Sequence, residues 1–180
     1  MNNIMNDTIK EKFKNVDFNE QDLKGMFVQY MVSVLVVGEP KDISDYKVFW
    51  EVLDCYKNYI DPFIHFYFYS KARENETLKE IISSYGLEKH VNFIDQRKLD
   101  EVLLHFLGCD MAILMGDVPN DYLDMMDYFY LPLLSMDKEY AESNKNVFYT
   151  TKKPEVIASS IKVISKNSDY KTKFIKNMNL

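Results

Sequence analysis

Asp117, Asp121, Asp124 and Asp127 recur at spacings of three or four residues behind the apolar run Met111 to Met115. Four carboxylates so placed could recruit a divalent cation, whereas a helix begun at Pro119 would carry acids in its first turn simply because they complement the helix dipole. Two basic and polar groups have a similar position: Ser70, Lys71 and Arg73 follow the aromatic run FIHFYFYS, and Gln96, Arg97 and Lys98 follow VNFI. Side chains just past strand ends are where open α/β sheets collect ligands, and Lys and Arg there could hold phosphate. A solvated loop is the alternative for each group. His65 lies inside the aromatic run, His90 in a polar turn and His105 on a helical stripe, with no spacing that suggests a metal site, so structural or surface roles are expected. The chain contains no P-loop, Gly-x-Gly-x-x-Gly, Gly-x-Ser-x-Gly or Cys-x-x-Cys. NTPase, dehydrogenase and hydrolase chemistries therefore have little support.

The elements that must position these groups alternate between short apolar runs and segments of helical period. Strands are expected at Val32 to Val37, Phe63 to Tyr69, Val91 to Ile94, Met111 to Met115, Leu133 to Met136 and Val147 to Thr150. Most are apolar on both faces, as strands between two helix layers are. Tyr46, Phe49, Val52, Leu53, Tyr56 and Ile60 recur at helical spacing after Ser44, a candidate N-cap. Leu78, Ile81, Ile82 and Tyr85 repeat the pattern before Gly86, which suits a left-handed helix stop. Leu99, Val102, Leu103 and Phe106 form another stripe before Gly108, and Pro154 suits the first turn of a last helix carrying Ile157, Ile161 and Ile164. The expected fold is α/β: a single Rossmann-like, doubly wound, mostly parallel sheet of about six strands over residues 31–166, with helices on both faces and right-handed crossovers. Residues 1–30 are expected to form a helical extension and residues 167–180 a helical tail.

The stretch ETLKEIISSYGLEKHVNFI, residues 76–94, resembles the carboxy-terminal domain of retaining GT-B glycosyltransferases of family 4, in which an amphipathic helix, a Gly-Leu stop, a polar turn and a Val-rich strand follow in this order. KLDEVLLHFLGCDMAILM is similar to the family's next helix and the aspartate and apolar strand before its active-site loop. YLPLLSMD resembles the Gly-Leu-Pro-Val strand, VLVVGEPKD the opening strand and turn, and VFYTTKKPEVIASSI the last strand and helix. The resemblance spans roughly 135 residues and implies the donor-nucleotide half of a GT-B fold.

In such a domain, cations and backbone amides stabilise the charge that builds on a departing nucleoside diphosphate. The resemblance puts Glu39 where the family has an Arg and leaves Lys41 as the nearby cation; it sets Asp117 at the family's first loop glutamate, as catalytic candidate, and Met125 at the second, with Asp124 and Asp127 adjacent. A carboxylate at position 39 repels a diphosphate. The loop DVPND has no glycine, Pro119 offers no N–H, and Asp121 adds negative charge. By this resemblance the nucleotide- or phosphate-binding candidates are Glu39, Lys41, Lys71, Arg73, Gln96, Arg97 and Asp124. The acceptor domain of such an enzyme has no counterpart, since about 30 leading residues cannot build it.

Composition bounds the rest. With 47% hydrophobic and 14% aromatic residues, 180 residues can bury a core of one domain. The net charge of -6 and scattered basic residues argue against a nucleic-acid partner. No apolar run approaches the ~20 residues needed to span a bilayer, so a cytoplasmic location is expected. Cys55 and Cys109 are read as core residues. The expected function is a glycosyltransferase-like sugar-nucleotide-binding domain, degenerate or dependent on a partner chain, with a UDP-, GDP- or ADP-sugar as donor and no cofactor or metal. If active, it is a retaining hexosyltransferase. The alternative is a non-catalytic, homo-oligomerising module that uses the Met- and aromatic-rich segment 122–130, or its terminal segments, to bind protein.

Overall fold

The computed structural model describes residues 11, 31–38, 43–52, 64–69, 76–94, 99–129, 131–144 and 147–165. The two terminal segments expected to be helical lie outside the described residues, apart from position 11. Six strands form a sheet: β1 (Val32–Val37), β2 (Ile64–Tyr69), β3 (Val91–Ile94), β4 (Met111–Leu114), β5 (Leu133–Ser135) and β6 (Val147–Tyr149). Their order is β3-β2-β1-β4-β5-β6, and every neighbouring pair is parallel. The sequence implied a mostly parallel sheet; the described sheet is wholly so.

Between the strands run α1 (a 3-10 turn, Ile43–Tyr46, continuing as α-helix over 47–52), α2 (Glu76–Ser84), α3 (Leu99–Gly108), α4 (Asn120–Tyr128), α5 (Lys138–Ser143) and α6 (Pro154–Ser165). Ser44 is the second residue of the opening 3-10 turn of α1. Gly86 does end α2, with φ +63. Leu87 N–H then bonds Ile82 O across the stop at 3.0 Å.

The chain winds outward from β1 to β3, returns to β4, and winds outward the other way to β6. Right-handed crossovers then demand helices on opposite faces for the two halves. The packing obeys this. Phe49 and Trp50 of α1, Leu78 and Ile82 of α2, and Ile157, Ile161 and Ile164 of α6 bury against Val34, Val36, Phe66, Phe68 and Ile113. Phe106 and Leu107 of α3 and Met125 and Met126 of α4 bury with Leu35, Val37, Tyr67, Ala112 and Leu114 on the other side. Phe49 meets the rings of Phe66 and Phe68 edge-on, each at 5.6 Å. The aromatic run of β2 is thus a packed wedge, and its apolar character on both faces follows from having a helix layer on each.

The Met- and aromatic-rich segment resolves the same way. Met125, Met126 and Phe129 are buried, and Tyr122 and Tyr128 pack against the same cluster, so among the described residues this segment is core and not a sticky surface. Cys109 is fully buried, as expected, while Cys55 lies outside the described residues.

The centre of the sheet is tied at its amino end. Asp110 Oδ2 accepts from Ser33 N–H at 2.8 Å, and Asp110 N–H donates to Ser33 O at 2.8 Å. The aspartate that precedes β4 thereby fixes the register of β1 on β4. His90 Nδ1 lies 3.0 Å from Ile64 O and anchors the start of β2. His65 and His105 are buried, as structural histidines.

Candidate functional site

The strand order reverses between β1 and β4, so the connections leaving these two strands diverge to opposite faces and leave a crevice at their carboxyl ends. A cleft of about 1000 Å³ opens next to that point, at the carboxyl ends of β4 and β5 and beside α1. Beside it the ends of β1 and β4 come close together. Met115 N–H bonds Val37 O at 2.8 Å, and a Cβ placed on Gly38, whose φ is +116, would stand 1.8 Å from Met115 O. Only glycine lets the end of β1 cross so close to β4.

One wall is the continuation of β4 through Gly116, Asp117 and Val118, with Leu123 of α4 behind it. Gly116 has φ +64, and the turn it makes leads into Asp117, which is exposed at the cleft. The opposite wall comes from the end of β5: Ser135, Met136 and Asp137, with Tyr140 of α5. Ser135 Oγ accepts from Asp137 N–H at 3.0 Å, and Asp137 Oδ1 caps α5 by accepting from Tyr140 N–H at 3.0 Å. Burial, then Asp127 and Asp124 nearby, push the Tyr140 hydroxyl above its ordinary pKa, so it stays protonated. Asp45, Lys47 and Glu51 of α1 and Lys152 beyond β6 close the rim.

The charge balance is acidic. Among the described lining residues, Asp45, Glu51, Asp117 and Asp137 face Lys47 and Lys152. Both lysines are already engaged: Lys47 with Glu51 at 3.5 Å and Lys152 with Asp45 at 3.7 Å. These are exposed pairs worth under ~1 kcal/mol, and a strongly anionic ligand could open them.

Of the residues singled out in the sequence, Asp117 lines the cleft. Asp124 does not; it stands on the side of α4 nearer Tyr140, and Leu123 is the residue of that helix that reaches the cleft. Met125, at the place of the family's second glutamate, is buried in the core and meets no ligand. Glu39, Lys41, Lys71, Arg73, Gln96 and Arg97 lie outside the described residues. Sequence reading missed Gly38 as a close-approach glycine and missed Ser135, Asp137, Tyr140 and Lys152 as wall residues. The strand-end rule that selected Lys71 and Arg97 would have found Ser135, Asp137 and Lys152 had it been applied to β5 and β6. No group of three or more His, Cys, Asp or Glu is arranged for a metal ion among the described residues.

An all-parallel sheet in this order, with helices on both faces and a cleft beside its reversal point, defines a doubly wound, Rossmann-like domain. More narrowly, the fold is that of a GT-B half-domain, carboxy-terminal type. The C-terminal domain of a group 1 family glycosyl transferase from Francisella tularensis superposes with a TM-score of 0.57 at 14% identity, over 89% of this chain and 93% of that one. A glycosyltransferase from Rickettsia africae gives 0.61 at 12% identity, over 89% of this chain and 48% of that one. The UDP-GlcNAc 2-epimerase of Methanocaldococcus jannaschii, in complex with UDP-GlcNAc and UDP, gives 0.55 at 11% identity, over 97% and 52%. The chain spans about half the length of the first whole enzymes it matches. No protein-family model matches the sequence, and no curated protein does.

Proposed function

We propose that this domain binds a sugar nucleotide in the cleft at the ends of β4 and β5, beside α1, as the donor half of a glycosyltransferase-like protein whose acceptor half comes from outside these 180 residues, as from a partner chain. The observation that carries the reading is the position of the cleft at the carboxyl end of β4, one of the two strands flanking the reversal point of a GT-B-type sheet. The epimerase of the same fold, in complex with UDP-GlcNAc and UDP, supports that ligand class. A UDP-, GDP- or ADP-sugar would lie along Met115 and Gly116 with Asp117 beside the sugar. If the complete assembly is active, it is a retaining hexosyl transfer.

The acidic wall favours a second reading. Each carboxylate within ~4 Å of a phosphate charge costs about 1 kcal/mol even at the dielectric of water, and more where water is excluded. A degenerate, non-catalytic module that kept the fold fits that wall. Calorimetric titration with uridine, guanosine and adenosine diphosphates and their sugars separates the two. Binding that Asp117→Ala alters and Arg97→Ala or Lys41→Ala abolishes supports the donor half. Absence of heat at millimolar ligand rejects it.

A further inference from the structure

We propose that the β5 wall of the cleft is a diol-binding subsite, in which Ser135 donates to one hydroxyl of a sugar ring and Asp137 accepts from the hydroxyl beside it. This rests on the sugar-nucleotide reading and names the part of that ligand which the wall takes.

Ser135 ends β5 and lines the cleft, yet it is only 3% exposed. Its backbone O accepts from Thr150 N–H at 2.8 Å, and its Oγ accepts from Asp137 N–H at 3.0 Å. The hydroxyl proton, in contrast, has no acceptor among the described residues. A buried donor left unpaired is costly, and an oxygen brought by a ligand removes that cost. Asp137 complements the serine. Its Oδ1 accepts from Tyr140 N–H at 3.0 Å and caps α5, while Oδ2 has no donor among the described residues. The bond from Asp137 N–H to Ser135 Oγ keeps the donor and the carboxylate in one turn.

A donor beside an acceptor selects among ligand groups. A phosphate oxygen accepts and does not donate, so it would satisfy Ser135 and be repelled by Asp137. An ammonium group donates only, so it would pair with Asp137 and leave the serine proton as it was. A hydroxyl does both, and two on adjacent carbons present an acceptor and a donor together. Met136 and Leu123 line the same cleft and offer apolar surface to the carbon face of the ring, and Asp117 on the opposite wall supplies a further acceptor. The acidic walls thus suit the uncharged, hydroxyl-bearing parts of a sugar nucleotide. Such a ligand carries the diol in two places, its ribose and its transferred sugar.

Calorimetric titration of the full chain with uridine, guanosine and adenosine diphosphates, their 2′-deoxy forms and their glucose conjugates tests this. The variant is Asp137→Asn, whose amide oxygen can still cap α5. Expected is that Asp137→Asn binds the ligand carrying the diol at least about tenfold more weakly than wild type does. If the diol is the ribose's, that difference disappears with the 2′-deoxy diphosphate; if it is the sugar's, it disappears when the glucose is absent. Binding to Asp137→Asn that is unchanged or tighter overturns the proposal while the sugar-nucleotide reading stands, since a phosphate at this wall gains from the loss of a like charge. An equal weakening with every ligand overturns it in the same way. So does a wild-type chain indifferent to both losses, a result that involves no substitution. Absence of heat with every ligand at millimolar concentration rejects the sugar-nucleotide reading and the subsite with it.

Discussion

Replacing His65 with leucine should remove a large part of the acid sensitivity of this protein. The imidazole is 2% exposed on β2, with Tyr67 ring to ring at 4.7 Å, and neither ring nitrogen has a full hydrogen-bond partner. Burial foremost, then the nearby His90, drives its pKa from an ordinary 6.5 down to about 4; the Lys89 backbone and the Asn92 side chain oppose the shift only in part. The folded-state value therefore lies below the unfolded one. Between pH 6.5 and about 4 the unfolded chain holds a proton that the folded chain does not, so stability from this group is complete above about pH 6.5 and is lost as pH falls toward 4. Taking those two values, the linkage at pH 4.5 amounts to about 2.5 kcal/mol, a large share of the stability of a domain this size. Urea unfolding at pH 7.5 and pH 4.5 gives the comparison. Between the two pH values the wild-type chain should lose about 2.5 kcal/mol more than His65→Leu. Equal acid losses in the two proteins would show that His65 protonates inside the fold without penalty, and the buried, unpartnered imidazole would be refuted.

Three further outcomes test the framework of the site. Gly38→Ala, which drives a Cβ to 1.8 Å from Met115 O at φ +116, should cost roughly 3 kcal/mol or more, whereas Gly86→Ala, at φ +63 with open space around it, should cost about 1; thermal melts of the pair check the contrast. Asp110→Ala leaves Ser33 N–H without its carboxylate and should destabilise by about 1–3 kcal/mol in chemical denaturation, with Asp110→Asn intermediate. Asp137→Ala removes the cap of α5 at the cleft wall and should lower stability by about 1 kcal/mol, with amide exchange at Tyr140 accelerating before that of β5.

The strands were legible in the sequence because a helix layer covers each face of the central ones. Val32 to Val37 and Phe63 to Tyr69 read as runs apolar on both faces, interrupted only by Ser33 and His65, for that reason, and their bounds differ from the structure by a residue at most. Asp117 was legible as a cleft residue because the strand-end position is a property of chain order. The close crossing of β1 and β4 was not. That Gly38 must be glycine depends on how near Met115 O comes, a distance between strands 77 positions apart that no local pattern encodes. The opposite wall was obscured differently: Ser135 and Asp137 hold each other and α5 by short-range bonds, and such residues look like turn formers until the sheet sets them facing Asp117. The buried state of Met125 explains why the segment that looked adhesive is instead interior.

The tie between Ser33 and Asp110 has a consequence for how the protein is made. It joins positions 77 residues apart, and β4 is the neighbour that closes the second side of β1. At 5–20 residues per second, the ribosome delivers β4 roughly 4 to 15 s after β1. Until β4 arrives, one flank of β1 is unpaired, and when it does the helix carrying Met125 and Met126 is still unsynthesised. The doubly wound order thus makes VSVLVV, made first, wait for part of its cover until nearly the whole domain has been translated.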